Sequence, residues 1–518
     1  MTAPSARHGP APASGEARGR RLARDALAGV TVAMVVIPQA IAYAGVAGMP
    51  PVSGLFAAAL PCIAAALFAS SPYLQTGPVA LTSLLTFGAL ASQAPVGSDA
   101  YVELGLLLAL IVGAIRVLVG LVRAGVLAHL MSEPMLMGFV PAGATLIVAS
   151  QVPAALGAEG ASDDGVLGAA ISALVEPATW DWRAIALGVA AMAIVGGGRA
   201  LHRLFPGVLV ALLGGVAISA ATGYAGATVG PIPGGLPPLS LSLPFGELPG
   251  LLLPGAVIAI VGFAEPAAIA RTFATRERQP WSADREFVSQ GMANVVAGLS
   301  GGYPVGGSLS RTTLNHMAGA ATRLSGAVTG LFVLAFLPFA SALDPLPEAV
   351  LAAIVIGMVL GLIRLRRLAA LWRVSRPQFA VAGTTFGLCL LLAPHIEYAV
   401  MAGVGLAVAT HLVRELSVRL EVERRGETLE VRPLGVLWFA TAQDLEERLI
   451  GLLDEHRDAT RLCLSLDGLG RIDLTGVMAL GHLLDDARRA GLEVELRGVP
   501  PQARGLLRRY GDRKSALE

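Results

Sequence analysis

The sequence predicts an α-helical polytopic membrane protein carrying a small α/β domain at its C-terminal end, and three observations predict it. Hydrophobic residues make up 54% of the 518 and charged residues only 14%, with a mean hydropathy of +0.67, more apolar side chain than a soluble globule hides. Apolar segments long enough to cross or half-cross about 30 Å of hydrocarbon recur from Ala26 to Val413. After Ser417 the pattern changes to short alternating runs and charged helices, as in soluble domains.

Residues 1–24 are polar and rich in Arg, Ala and Pro, and the apolar stretch that follows has no cleavage-type ending. They read as a cytosolic tail rather than a signal peptide. Residues 25–414 form the membrane domain, with about fourteen spanning or half-spanning segments. The breaks alternate in chemistry. Arg18 to Arg24, Arg123, Arg199 to Arg203, Arg271 to Arg278, Arg323, Arg364 to Arg376 and Arg414 fall on one side, whereas Ala94 to Ala100, Tyr224 to Gly250, Asp344 to Glu348 and Pro394 to Glu397 contain no Lys or Arg. The positive-inside rule makes the first side cytoplasmic. The expectation is a multi-pass protein of a bacterial plasma (inner) membrane with both termini in the cytoplasm.

Two segments, Thr76 to Leu90 and Gly301 to Gly319, are short, Gly/Pro-interrupted and dotted with Ser and Thr. Lipid cannot satisfy open backbone groups, so such segments belong inside the protein or along a cavity. Their corresponding positions, third span of each half, predict an internal repeat with an odd number of spans per unit, hence an inverted one. Pro78 and Pro304 each stand where a helix would begin within the membrane, a position at which proline loses no hydrogen bond. Two half-helix N-termini aimed at each other would cradle an anion with free amides and positive dipole ends; the alternative is two kinked ordinary spans.

Arg311 lies about 10 Å into the second half-helix if that helix starts at Pro304. A guanidinium there costs about 2.5 to 3.5 kcal/mol on insertion scales unless paired or hydrated. It reads either as the attractor of a substrate anion or as the partner of an acidic neighbour. Glu265 is the one carboxylate in the run Leu251 to Ile269. It reads as a buried group that carries a proton, or as a fixed counter-ion of Arg311. A sodium site would need an oxygen ligand one turn on, where Ile269 stands. In the first span, Gln39 and Tyr43 share a face at i, i+4 after Pro38, giving a polar and aromatic wall or an interhelical hydrogen bond.

The tail, residues 415–518, predicts strands at Val418 to Val422, Glu427 to Val431 and Val436 to Ala440. A helix from Ala442 to about Asp458 follows, then a strand Arg461 to Asp467, a helix Asp473 to Arg489, a strand Leu492 to Arg497 and a helix near Gln502 to Tyr510. Strands alternating with helices indicate a small α/β sandwich.

The run Pro38-Gln39-Ala40-Ile41-Ala42-Tyr43-Ala44, with Ala47-Gly48-Met49-Pro50-Pro51, Gly54-Leu55-Phe56, Gly77-Pro78 and the stretch Asn294 through Thr312, resembles the sulfate permease (SulP) family of anion transporters. The resemblance covers nearly the whole chain. Asp467, Ile472-Asp473-Leu474-Thr475-Gly476 and Gly491 are similar to the STAS domain that such transporters carry. It implies fourteen spans in a seven-plus-seven inverted repeat, core and gate domains, an anion held between the third and tenth spans, and a homodimer. The implied pocket is Gln39, Tyr43, Val79, Ala80, Ser310 and Arg311, the backbone of Gly307, Ser308 and Leu309, and Glu265. Val79 is aromatic in some relatives, and sodium-dependent bicarbonate members carry Asp and Thr where Glu265 and Ile269 stand. That turns the expectation from sodium to proton coupling or exchange. In soluble relatives a Ser or Thr near Thr475 is phosphorylated; the other reading of Thr475 is a hydroxyl at a helix start.

A net charge of +1 argues against a nucleic-acid partner. Cys62, Cys389 and Cys463 form no metal or disulfide pattern, and no nucleophile/base constellation points to an enzyme. The expected function is secondary transport of a small anion (sulfate, a dicarboxylate such as fumarate, or bicarbonate), by proton symport or exchange. No cofactor or metal is expected; the partners are the anion, a proton, the bilayer and a cytosolic protein on the STAS-like domain. The rivals are a nucleobase or borate carrier of the same architecture, and an anion-sensing signalling protein.

Overall fold

The computed structural model describes residues 14–129, 132–158, 165–201, 205–239, 243–415 and 418–517. The chain divides into two compact units, Met1–Gly405 and Leu406–Glu518. The first holds two series of elements. One runs α1 (Ser14–Val46), α2 (Pro51–Ala58) continued by α3 (Leu60–Phe68), strand β1 (Thr76–Gly77), α4 (Ala80–Leu90), α5 (Asp99–Leu121), α6 (Glu133–Leu156), α7 (Gly165–Val175), α8 (Trp182–Leu201) and α9 (Gly207–Thr222). The other runs α10 (Leu248–Glu277), α11 (Ala283–Leu299), strand β2 (Gly306–Gly307), α12 (Leu309–Met317), α13 (Leu324–Phe336), α14 (Glu348–Val359), α15 (Leu365–Val374), α16 (Arg376–Leu391) and α17 (Ile396–Glu415), which crosses into the second unit.

The two series match element for element, each with a two-residue strand before a short helix and an extra short helix (α7, α15) in the same place. Antiparallel pairing of Thr76 with Gly307 and of Gly77 with Gly306 makes the repeat an inverted one at its centre. Eight helical stretches among the described residues are long and apolar enough to span a membrane by length and composition; Ala80–Leu90, Trp182–Gly198 and Gly207–Thr222 are shorter apolar helices. The helices pack in two groups, α1–α5 with α10–α13 and α6–α9 with α14 and α16, which meet chiefly where α1 touches α14 and α9 and where α4 touches α6. This is the core-and-gate division that the resemblance implies.

Helix α1 begins at Ser14, so residues 14–24 of the expected tail are helical; residues 1–13 and Arg203 lie outside the described residues. One expectation needs correcting. The half-helices begin at Ala80 and Leu309, not at Pro78 and Pro304. Strand β1 stands just before Pro78 and strand β2 between Pro304 and Leu309, and each helix starts after a residue in β conformation, Val79 or Ser308.

The second unit is a mixed sheet of order β3-β4-β5-β7, with β6 beside β4. Its strands are β3 (Arg419–Arg425), β4 (Thr428–Leu437), β5 (Arg461–Ser465), β6 (Leu469–Ile472) and β7 (Glu493–Arg497). Helices α18 (Phe439–Glu455), α19 (Leu474–Arg489) and α20 (Pro501–Leu517) complete it. Leu429, Val431, Leu445, Leu462, Leu464, Val477 and Leu480 fill its core. Strand β4 is one strand where the sequence predicts two. It pairs with β5 up to Val431 and with β6 from Gly435, so Pro433 falls between parallel partners. Strand β6, four residues long, was not predicted.

Candidate anion-binding site

The strand pair is the frame of the site. Its glycines are fixed by close approach: a Cβ on Gly307 would lie 2.8 Å from Leu74 Cδ1 and 3.1 Å from Pro266 Cβ, and one on Gly306 would lie 3.1 Å from Val79 Cγ2. Gly77 adopts φ +147°, a conformation that L side chains avoid. Three buried side chains tie the frame to its surroundings. Asn294 accepts from the Val305 amide (2.9 Å) and donates to the Val305 carbonyl (3.0 Å). Gln290 donates to Thr76 Oγ1 at 2.7 Å, and Thr312 Oγ1 accepts from the Gln75 amide at 3.1 Å. Glu286 accepts from the amides of Ser70 and Ser71, fixing the approach to β1.

Because the strands are antiparallel, α4 and α12 leave the pair from opposite ends, and their first turns flank it. The amides of Ala80, Leu81, Leu309 and Ser310 precede the first intrahelical acceptors. The Ser308 amide, expected to face the anion, donates instead to the Gln75 carbonyl at 3.0 Å, and the Ser308 hydroxyl accepts from the Arg311 amide at 3.5 Å as the helix cap. Gly307 likewise spends its backbone on the strand pair. Leu309 and Ser310 are exposed, with Ser310 Oγ 3.2 Å from Ser308 Oγ.

Arg311 is the third residue of α12, in its first turn rather than two turns deep. Its side chain is 1% exposed. Neither Nε, Nη1 nor Nη2 has a hydrogen-bond partner, and the guanidinium lies against Gly77 and Cys62. Tyr43, Tyr303 and Glu265 stand within electrostatic reach of it. The fixed ion pair with Glu265 is therefore not formed. Glu265, expected to be buried, is exposed, as are Ala268, Arg271 and Thr272 further along α10.

Of the predicted residues, Tyr43, Glu265 and Arg311 are brought together, Val79 packs on Gly306, and Ala80 opens α4. Gln39 is turned elsewhere: its Nε2 meets Met358 Sδ of α14 at 3.2 Å, an interhelical contact between the two helix groups. Thr475 is exposed at the second position of α19, whose capping is done by Asp473 accepting from the Gly476 amide at 2.8 Å.

Sequence reasoning missed Arg116 and Tyr303. Arg116 is wholly buried in α5 and donates to the carbonyls of Ala259, Val305 and Ile258, each at 3.0 Å. It thereby joins α5, α10 and the residue preceding β2. Its signal was available, a lone Arg inside an apolar span. Tyr303 is buried with its hydroxyl 3.4 Å from Ser83 Oγ.

A cavity of about 1330 Å³ is distinct from this site. It lies between the helix groups, lined on one side by Gly45, Leu84 and Phe87 and on the other by Ser150, Asp181 and Glu348. It stops at Leu84, one turn short of Ala80. At its mouth Tyr224 donates to Asp181 Oδ2 at 3.2 Å; burial and that carboxylate push the phenol up to about 12. The chemistry for an anion sits deeper, at Arg311.

Opposed half-helices about a strand pair, an unpaired buried guanidinium and a two-group inverted repeat define a membrane transporter. The model of the sulfate permease family matches residues 22–385, and that of a Mlab, STAS domain matches residues 420–514. The chain belongs to the sulfate permease family. It is similar to Sulfate transporter 4.1, chloroplastic, of Arabidopsis thaliana, 33% identical over 395 residues, spanning 74% of this chain and 57% of that relative's length. It is also similar to a probable sulfate transporter of Mycobacterium tuberculosis (strain ATCC 25618 / H37Rv), 31% identical over 522 residues, 95% of this chain and 92% of the relative. These relatives are transporters, not enzymes. The fold matches murine Solute Carrier 26 family member A9, an anion transporter in the inward-facing state, with TM-score 0.86 and 19% identity over 98% of this chain and 93% of that one. The transmembrane domain of a cyanobacterium bicarbonate transporter matches with TM-score 0.64 and 24% identity over 75% of this chain and 98% of that one.

Proposed function

We propose that the chain is a secondary active carrier of small anions in the class of sulfate, a dicarboxylate such as fumarate, or bicarbonate. Transport is by proton symport or exchange, through alternating access around a midplane site between α4 and α12. One observation carries the reading: Arg311, buried in the first turn of α12, has no acceptor for any guanidinium nitrogen. A buried cation without a counter-charge costs several kcal/mol, which an anion held between two helix N-termini offsets. Glu265, within electrostatic reach of Arg311 but not paired with it, is assigned the proton. Tyr43, Val79, Ala80, Leu309 and Ser310 form the pocket wall, and Gln39, turned onto Met358, stands outside it. The names of the sulfate transporters similar to this chain support the anion class.

The proposal includes a membrane domain at 25–414 and a STAS domain at 415–518, termini on the cytoplasmic side of a bacterial inner membrane, and a homodimer whose STAS domain engages a cytosolic protein. Phosphorylation of Thr475 is a separate proposal, which consistent absence of phosphate on that residue in the native host would end.

The test is uptake of radiolabelled sulfate, bicarbonate, chloride, fumarate and succinate by proteoliposomes under an imposed pH gradient. Saturable uptake of at least one, responsive to the gradient, is expected, with no competition by uracil. Failure to accumulate any of them sinks the carrier reading. Glu265→Gln should bind the transported anion normally but lose the response to the gradient; a response that survives removes Glu265 from the coupling.

A further inference from the structure

Helix α15 has no part in the site. Its sequence, Leu-Arg-Arg-Leu-Ala-Ala-Leu-Trp-Arg-Val, places Leu365, Leu368, Ala369 and Trp372 at i, i+3, i+4 and i+7 on one face, with Arg366 and Arg373 beside them. None of its residues is buried, and Leu365 and Trp372 are 48% and 54% exposed. The helix connects α14 to α16, so both its ends are tied to apolar helices of the membrane domain. An exposed apolar stripe there faces lipid rather than water.

The charge is one-sided. Arg364, Arg366, Arg367, Arg373 and Arg376 cluster within thirteen residues, and no Asp or Glu occurs between Glu348 and Glu397. Among the described residues none of these arginines joins an ion pair. Arg364 Nε donates to the Gly361 carbonyl at 3.1 Å, and the Arg376 guanidinium sits 5.6 Å over the Trp372 ring, which is itself edge-on to Phe379. An indole sandwiched in this way is held at the level where apolar and polar media meet.

We infer that α15 is an interfacial helix that binds the headgroups of anionic phospholipids, with Leu365, Ala369 and Trp372 in the acyl boundary and Arg366, Arg367 and Arg373 on phosphate. A basic residue at an anionic surface is worth about fivefold in binding, so the three together favour anionic over zwitterionic lipid by roughly a hundredfold at most. An acidic protein surface would satisfy the arginines but would leave the apolar stripe in water.

The test uses the full chain in vesicles of phosphatidylcholine doped with equal mole fractions of brominated phosphatidylglycerol or brominated phosphatidylcholine. The Trp372 fluorescence is taken as the difference between wild type and Trp372→Phe. Stronger quenching by the brominated phosphatidylglycerol is expected. The combined variant Arg366→Gln, Arg367→Gln, Arg373→Gln should lose that preference while quenching by brominated phosphatidylcholine persists, and the matching Lys variants should keep it. A Trp372 that neither lipid quenches would overturn the interfacial placement. Equal quenching by both, or a preference that the Gln variants retain, would overturn the headgroup assignment.

Discussion

Replacing Arg311 with Met separates a ligand-binding cation from a structural one. Methionine keeps the length of the aliphatic stem and removes the charge. In the protein the guanidinium makes no hydrogen bond and is 1% exposed, so the substitution breaks no protein contact except packing against Gly77 and Cys62. Removing an uncompensated buried charge relieves a desolvation penalty of several kcal/mol, so stability without substrate should hold or rise. Anion affinity should fall by the value of a charge-assisted hydrogen bond, about 1.5 to 3 kcal/mol, which is roughly ten- to 150-fold at 1.36 kcal/mol per decade. The assay pairs melting in detergent, followed by tryptophan fluorescence, with equilibrium binding of the anion that the uptake panel identifies. Arg311→Lys should fall between wild type and Arg311→Met, since it restores charge without the planar fork. A variant that melts well below wild type yet binds the anion with unchanged affinity would refute the reasoning and make Arg311 a packing residue.

The other substitutions probe the frame and the tail. Arg116→Met removes the charged donor shared by the carbonyls of Ala259, Val305 and Ile258, of which Val305 keeps Asn294, and should lower stability by about 3 kcal/mol. Melting of that variant at the wild-type temperature would deny Arg116 its framing role. Gly77→Ala places a side chain at φ +147°, a strain of roughly 1 to 3 kcal/mol within the strand pair, and should reduce uptake more than protein yield; full uptake would mean that the frame tolerates the distortion. In the STAS domain, Arg432 and Ser465 donate to Asp467 and hold its carboxyl below the usual range. That contribution is present above the ordinary carboxylate pKa and is lost as pH falls through the lowered value. Asp467→Asn should therefore destabilise the domain near neutrality and flatten its acid limb, as read by melting against pH. An acid limb identical to wild type would assign it to other carboxylates.

What the sequence made legible follows from the range of each interaction. The two interrupted spans, the inverted repeat and Arg311 were readable because glycine, proline and charge in an apolar run are local signals. The strand pair was not, since each strand is two residues long and its partner lies some 230 positions away, as for Thr76 and Gly307. Missing it displaced both helix starts and assigned the anion a Ser308 amide that the Gln75 carbonyl already holds. Arg116 carries the same local signal, a charge in an apolar run, but its framing role is not legible because its partners are backbone carbonyls, which no residue type announces. In the tail, two strands are predicted where β4 is one, and Pro433, which cannot donate, lies in the predicted gap between them. Its position between the β5 and β6 pairings removes the need for a donor there.

These tertiary contacts also bear on how the proposed carrier moves. Arg311, Glu265, Tyr43, the strand pair and Arg116 all stand on α1, α5, α10 and α12 or between them, within one helix group. Asn294 and Arg116 both bond the Val305 carbonyl, so the segment leading into β2 is held from α11 and α5 at once. Such a frame moves as a body or not at all. The other group approaches the first span through Met358 on Gln39, a weak thioether contact that leaves Gln39 Oε1 without a partner. The seam between the groups is thus the place where little hydrogen bonding is lost on sliding, whereas opening the site itself would break the bonds at Val305, Thr76 and Gln75. Alternating access in this chain is accordingly expected to carry the intact site past the gate helices. A cross-link between Gln39→Cys and Met358→Cys should arrest uptake while leaving anion binding in place, and continued uptake by the cross-linked protein would put the moving seam elsewhere.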